Sequence, residues 1–183
     1  MPAVSDALDR HLAALAAAGA ASAQVLVPAR ADPIAALDAL AHVTLPEAFR
    51  TYLARVGSYD RERCHALGAS EPEFAWGYFA LDARHIPTHY RHAGPLYDED
   101  GYWPYGLVPF LWGGSGDYVL LDGRADAATF GAVYELTEAE GVGERPLWPD
   151  LAAFLAAATD ELATGRRVFE TPSFSRLTGR GVM

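Results

Sequence analysis

Residues 101–136, GYWPYGLVPFLWGGSGDYVLLDGRADAATFGAVYEL, decide how the chain folds. They hold three strand-like apolar runs, at 107–112, 117–121 and 131–136, and Gly113, Gly114, Ser115 and Gly116 separate the first two. A short glycine-rich connection between β-type segments predicts a hairpin, because glycine supplies the left-handed backbone that tight turns need. The same stretch excludes a phosphate-binding loop. Such a loop opens a helix whose first amides face the anion, whereas Tyr118, Val119, Leu120 and Leu121 follow here. Residues 107–110 and 119–121 are nearly continuous apolar runs, so both strands are expected to be central, with helices over at least one face.

Outward from the hairpin, the flanks read mainly as helix. Ser5 is placed to cap a first helix that turns Leu8, Leu12 and Leu15 to one side and ends near Gly19. Asp32-Pro33 opens a shorter one through Ile34, Leu37 and Leu40. Thr44-Leu45-Pro46-Glu47 has the spacing of a capping box at the start of a third, whose apolar stripe is Leu45, Phe49, Tyr52, Leu53 and Val56, with Gly57 as its stop. Residues 58–73 read as loop and 75–81 as one aromatic strand. A long connection, 82–105, contains Pro87, Pro95 and Pro104 and the acidic triplet Asp98, Glu99, Asp100. A last helix begins at Pro149, carries Leu151, Phe154, Leu155 and Leu162 inward, and stops at Gly165. Helices, then strands, then a helix, without βα alternation, predict an α+β single domain over 1–165 with a largely antiparallel central sheet. The tail, 166–183, carries four arginines and one glutamate and is expected to be partly disordered.

Charge and cysteine content narrow the function classes. The 183 residues carry a formal charge of -10, a surface that repels nucleic acid and anionic lipid, so no direct nucleic-acid or membrane role is expected. All the basic residues are arginine. The single cysteine, Cys64, excludes an intramolecular disulfide and a multi-cysteine zinc site. With Asp6 and Asp9 where a signal peptide would be basic, and an alanine-rich stretch at 13–23 too short to span a bilayer, the expected location is the cytoplasm.

Catalytic readings are weak. Gly113-Gly114-Ser115-Gly116-Asp117 resembles a nucleophile elbow, but Asp117 stands where the final glycine belongs and no helix follows, so Asp117 is expected to accept backbone amides at a turn. Cys64 and His65 are sequence neighbours, which do not face each other on a helix or a strand. His85, His89 and His92 are the best metal candidates, since a helix from Pro87 would place the last two one turn apart, but they lack cysteine and carboxylate company. No catalysis, metal or cofactor is expected. A small hydrolase or metal-dependent enzyme built on the histidine segment is the least favoured alternative.

Residues 45–53, LPEAFRTYL, resemble the LPxxYxxFL helix opening of the SUKH superfamily, which comprises cell-wall assembly regulators in fungi and immunity proteins in bacteria. Trp103, then Leu107-Val108-Pro109-Phe110, Gly114-Ser115-Gly116-Asp117-Tyr118 and Leu121-Asp122 are similar to that family's tryptophan, lvPf and GxGDxxxLD succession. Gly131-Ala132-Val133-Tyr134 resembles its GxVY strand, and Leu151-Ala152-Ala153-Phe154-Leu155 its terminal SFxxFL helix. Val56-Gly57-Ser58 and Trp148-Pro149 depart from the pattern, which touches local turns more than the fold. The resemblance, covering about 40–162, implies an immunity protein that binds and neutralises a cognate bacterial toxin, such as a nuclease or a nucleic-acid deaminase. A scaffold or regulator on the same fold is the alternative. An acidic surface suits a toxin with a basic cleft. The expected partner-binding residues are Asp98, Glu99, Asp100, Trp103, Asp117 and Tyr118, chosen for loop length, charge and aromatic density, with the acidic strip Glu135, Glu138, Glu140, Glu144 as the second choice.

Overall fold

The glycine-rich segment forms the expected hairpin, β5 (Leu107–Trp112) and β6 (Tyr118–Asp122), with Trp112 opposite Tyr118 and Leu107 opposite Asp122. The register shifts between Pro109 and Leu111. That shift makes Phe110 the extra residue of a bulge, the one place where a central strand tolerates a proline that has no N–H to donate. The computed structural model describes residues 3–75, 77–97, 103–114 and 116–164, with the backbone alone for 92–97. Around the hairpin, β3 (Glu73–Ala75), β4 (Tyr78–Ala80), β7 (Val133–Thr137) and β8 (Gly141–Val142) complete a six-stranded sheet in the order β3-β4-β5-β6-β7-β8. Every pair is antiparallel. As expected, β5 and β6 are the central pair.

One face of this sheet is covered by α1 (Val4–Ala17), α4 (Glu47–Val56) and α7 (Leu151–Thr164), and α6 (Ile86–Tyr97) packs against β5. Phe110 is the hub. Its ring meets Phe49, Tyr52 and Phe154 edge-on at centroid distances of 5.8, 5.6 and 5.6 Å, the arrangement that aromatic quadrupoles favour. Side chains alternate along β6 and β7, so Val119, Leu121 and Val133 join this core. Leu120, Tyr134 and Leu136 point the other way into a second cluster with Trp103, Leu107 and Ala132. The sheet is therefore apolar on both faces, which explains why its central runs do not alternate.

Short α2 (Ser22–Val25) and α3 (Ala31–Asp38) precede α4, and a separate two-stranded ribbon pairs β1 (Leu26–Val27) with β2 (Ser58–Tyr59), followed by α5 (Arg61–Ala66). Residues 58–73 are thus not all loop. The aromatic segment 75–81 is two strands rather than one, folded back at Gly77, whose φ of 78° favours glycine. The connection 82–105 contains α6, whose Pro87 lies in the first turn, where a missing N–H costs nothing. Leu162, expected inward on α7, is only half-buried, and Glu161 is buried instead. The helix stop at Gly165 and the tail lie outside the described residues.

Two expected caps are also corrected. Ser5 lies inside α1, where its hydroxyl accepts a bond from Arg55, and the N-cap is Ala3. The N-cap of α4 is Pro46, whose carbonyl accepts the amides of Phe49 and Arg50 at 2.9 and 3.1 Å. Glu47 therefore occupies the first helical position, too early for a capping box. Thr44 instead donates its amide to Gly123 at 2.7 Å, tying the chain to the end of β6. Side-chain caps form elsewhere: Asp60 accepts the Arg63 amide at 3.0 Å at the start of α5, and Asp150 the Ala153 amide at 2.8 Å at the start of α7. Thr44→Ala should accordingly change folding stability by less than about 0.5 kcal/mol, while Asp60→Ala should cost about 0.5–2 kcal/mol. Equal losses in chemical denaturation would contradict these assignments. Gly57 does end α4, but by contact rather than conformation: its φ is -73°, and an added Cβ would lie 2.6 Å from the Leu53 carbonyl oxygen and 2.9 Å from the Ala29 methyl.

A carboxylate and aromatic surface at the hairpin tip

The β5–β6 turn is closed by the Gly113 amide donating to the Asp117 carbonyl at 2.9 Å. Gly114 and Gly116 have φ of 78° and 95°, so both hold conformations that side chains strain. Gly113 is needed for space instead. A Cβ there would approach the Asp117 Cβ at 3.1 Å and the Tyr78 ring at 3.2 Å. Through that gap the Tyr78 hydroxyl, from β4, donates to Glu135 Oε1 of β7 at 2.6 Å. Burial raises the Tyr78 hydroxyl pKa well above the ordinary phenol value, and the neighbouring carboxylates of Glu135 and Asp117 raise it further. Tyr78 therefore remains a protonated donor, and negative charge collects around it.

Asp117 accepts a backbone amide as expected, but from a distant turn: its Oδ1 takes the Glu138 N–H at 2.8 Å. This ties the β5–β6 tip to the connection between β7 and β8, and Gly116 packs against the Glu138 side chain. Beside the carboxylates stands Tyr118, whose hydroxyl lies 3.0 Å from His89 Nδ1. Its ring is 5.7 Å from His89 and 5.1 Å from Trp103. His89 also faces Trp112, at 6.4 Å. Asp117, Tyr118, Glu135 and Glu138 thus converge at one end of the sheet, bringing the expected hairpin-tip residues together with two members of the second-choice acidic strip.

Other expected residues are placed differently. Trp103, expected among the partner-binding residues, is 1% exposed and donates its indole N–H to the Leu107 carbonyl at 2.9 Å. It is packing for the second face of the sheet, with Tyr118 as its link to the surface. Asp98, Glu99 and Asp100 lie outside the described residues. Among the histidines, His89 is committed to Tyr118, and the His92 side chain is outside the described residues. Among the described residues no group of three or more His, Cys, Asp or Glu is placed to hold a metal. Cys64 is buried. Burial, with Glu71 and Asp60 nearby, pushes its thiol pKa up, away from the reactive thiolate.

One feature escaped the sequence reading although its signal was there: Leu81-Asp82-Ala83-Arg84 and Leu121-Asp122-Gly123-Arg124 repeat the pattern LDxR. In each, the aspartate accepts the amide two residues on at 2.9 Å and the arginine Nε at 2.9 Å. A terminal nitrogen of the same arginine binds the other oxygen, at 2.6 Å for Arg84 and 2.7 Å for Arg124. A hydroxyl completes each set, Ser58 at 2.8 Å on Asp82 and Thr129 at 2.7 Å on Asp122. Burial alone would raise both carboxyl pKa values, but the hydrogen bonds from arginine and hydroxyl outweigh it and hold both below the usual carboxylate range. Asp122 anchors the turn behind β6, where the Arg124 stem lies over Gly106, φ 84°.

Among the described residues no helix is long and apolar enough to cross a membrane. The sequence model of the SMI1 / KNR4 family (SUKH-1) matches residues 28–157. No curated protein matches the chain.

Proposed function

Because the chain belongs to the SMI1 / KNR4 family (SUKH-1), we propose that it is a non-catalytic binding protein whose role is immunity, capturing and neutralising a cognate bacterial toxin. The observation that supports this best is the convergence of Asp117, Glu135 and Glu138 with the half-buried rings of Tyr118 and Trp112 at the hairpin tip. Carboxylates around part-exposed aromatics suit a basic protein surface: the charges steer the encounter and the rings supply contact area. The proposal includes Asp98, Glu99 and Asp100 on this surface. Asp100 is three residues from Trp103, so an extended chain keeps it within roughly 11 Å along the backbone, and Trp103 touches Tyr118. A toxin acting on nucleic acid, with a basic cleft, is the partner this chemistry fits.

Capture of partners from the native host, identified by mass spectrometry, tests the role, and binding kinetics test the surface. Asp117→Asn retains an acceptor for the Glu138 amide while removing the charge, and Glu138→Gln is its companion. Together they should slow association several-fold at low salt and flatten its salt dependence, with dissociation little changed, because rim charges act on the encounter. Wild-type association rates at low and moderate salt would place the interface elsewhere. Capture of a housekeeping protein with no toxin activity would favour a regulator or scaffold instead.

A further inference from the structure

The β1–β2 ribbon, the start of α3 and α5 border an open hollow of about 460 Å³. Arg30, Arg61 and Arg84 line it, three guanidinium groups from three separate segments of a chain whose formal charge is -10. Arg84 is set rigidly: Asp82 beneath it holds Nε and one terminal nitrogen, and these bonds leave Nη1 unused. Arg61 stands beside the Tyr59 hydroxyl. Neither Arg30 nor Arg61 forms an ion pair among the described residues.

Like charges brought together are mutually unfavourable, and an acidic protein has carboxylates to spare for neutralising them. Here only Glu62 and Asp82 line the hollow, and Asp82 is already spent on Arg84. The lining therefore keeps a net positive charge. Planar guanidinium forks match the paired oxygens of phosphate and carboxylate. The hollow is larger than one such group, and Pro28, Pro33 and Tyr59 give it apolar walls. We propose that this cleft binds a small molecule carrying a phosphate or carboxylate group, with Arg30, Arg61 and the Nη1 of Arg84 as its donors. The proposal does not depend on the immunity reading, although Arg61 and Tyr59 also line an adjoining hollow with Trp112 of the hairpin.

Calorimetric titration of the full chain at low ionic strength, with inorganic phosphate and in parallel with citrate, tests it, with chloride at matched ionic strength as control. Saturable binding of at least one of the two is expected, and the stronger identifies the anion class. Arg30→Ala with Arg61→Ala should weaken it about tenfold or more, since charge-assisted hydrogen bonds are lost. Arg30→Ala alone, remote from the Asp82 pair, should weaken it measurably and guards against misfolding of the double variant. Absence of saturable binding up to about 10 mM, or binding unchanged in both variants, overturns the proposal.

Discussion

Replacing Trp103 by alanine is expected to lower folding stability by about 3–5 kcal/mol, the usual cost of deleting a buried large aromatic. The side chain is 1% exposed and sits against Leu107, Leu120, Tyr134 and Leu136. Its removal would open a cavity on the second face of the sheet, and the Leu107 carbonyl would lose the indole donor that binds it at 2.9 Å. Trp103→Phe should recover much of the packing but not that bond. Chemical denaturation measures both. If Trp103→Ala instead keeps its midpoint and releases a bound partner faster, the residue is an interface anchor after all and the second face is not a true core.

Asp122→Ala should cost about 3 kcal/mol, the lower end of the range for breaking a buried ion pair. The lower end applies because Arg124 is 35% exposed and can rehydrate once its partner is gone, whereas Asp122 itself is fully buried. The loss extends beyond the pair, since the Arg124 amide and the Thr129 hydroxyl both lose their acceptor. Asp82→Ala should cost less, because Arg84 is 56% exposed. The acid side gives an independent check. The folded-state pKa of Asp122 lies below its ordinary value. Its contribution is therefore fully present above the unfolded value of about 3.9 and is lost as pH falls through the folded value. The difference in stability between wild type and Asp122→Ala should accordingly be constant near neutrality and shrink below about pH 4. A difference that does not shrink on acidification would mean the pair contributes no charge-dependent stability.

The two experiments separate packing from charge at neighbouring points on one sheet. Together with the kinetic test at Asp117 and Glu138, they distinguish residues that build the hairpin platform from those it presents. Trp103 and Asp122 belong to the platform, while half-buried Asp117 and exposed Glu138 are what it presents. That division also explains why the tip can carry so many carboxylates. Glu138 is exposed, and Asp117 and Glu135 are half-buried, where water still screens them and the Glu138 amide and the Tyr78 hydroxyl donate to them.

By itself the sequence determined the features whose causes are local. The β5–β6 hairpin follows from glycines at 114 and 116 between continuous apolar runs, and α4 and α7 from stripes recurring every three or four residues. The central place of β5 and β6 follows from runs too apolar to face water on either side. The amide-accepting role of Asp117 was legible from its residue type, although not the identity of the donor. Only the tertiary structure decided matters that depend on what lies across a gap. Pro46 rather than Thr44 caps α4 because the Thr44 amide is taken by Gly123, a residue remote in sequence. The two strands within 73–80 were hidden because each three-residue run is too short to show a period, and α6 by Pro87, which its first turn accommodates, and by Pro95 in its last. Trp103 is buried, and Glu138 meets Asp117, because of strand register. Register is set by the summed packing of whole faces, and no single segment carries that sum.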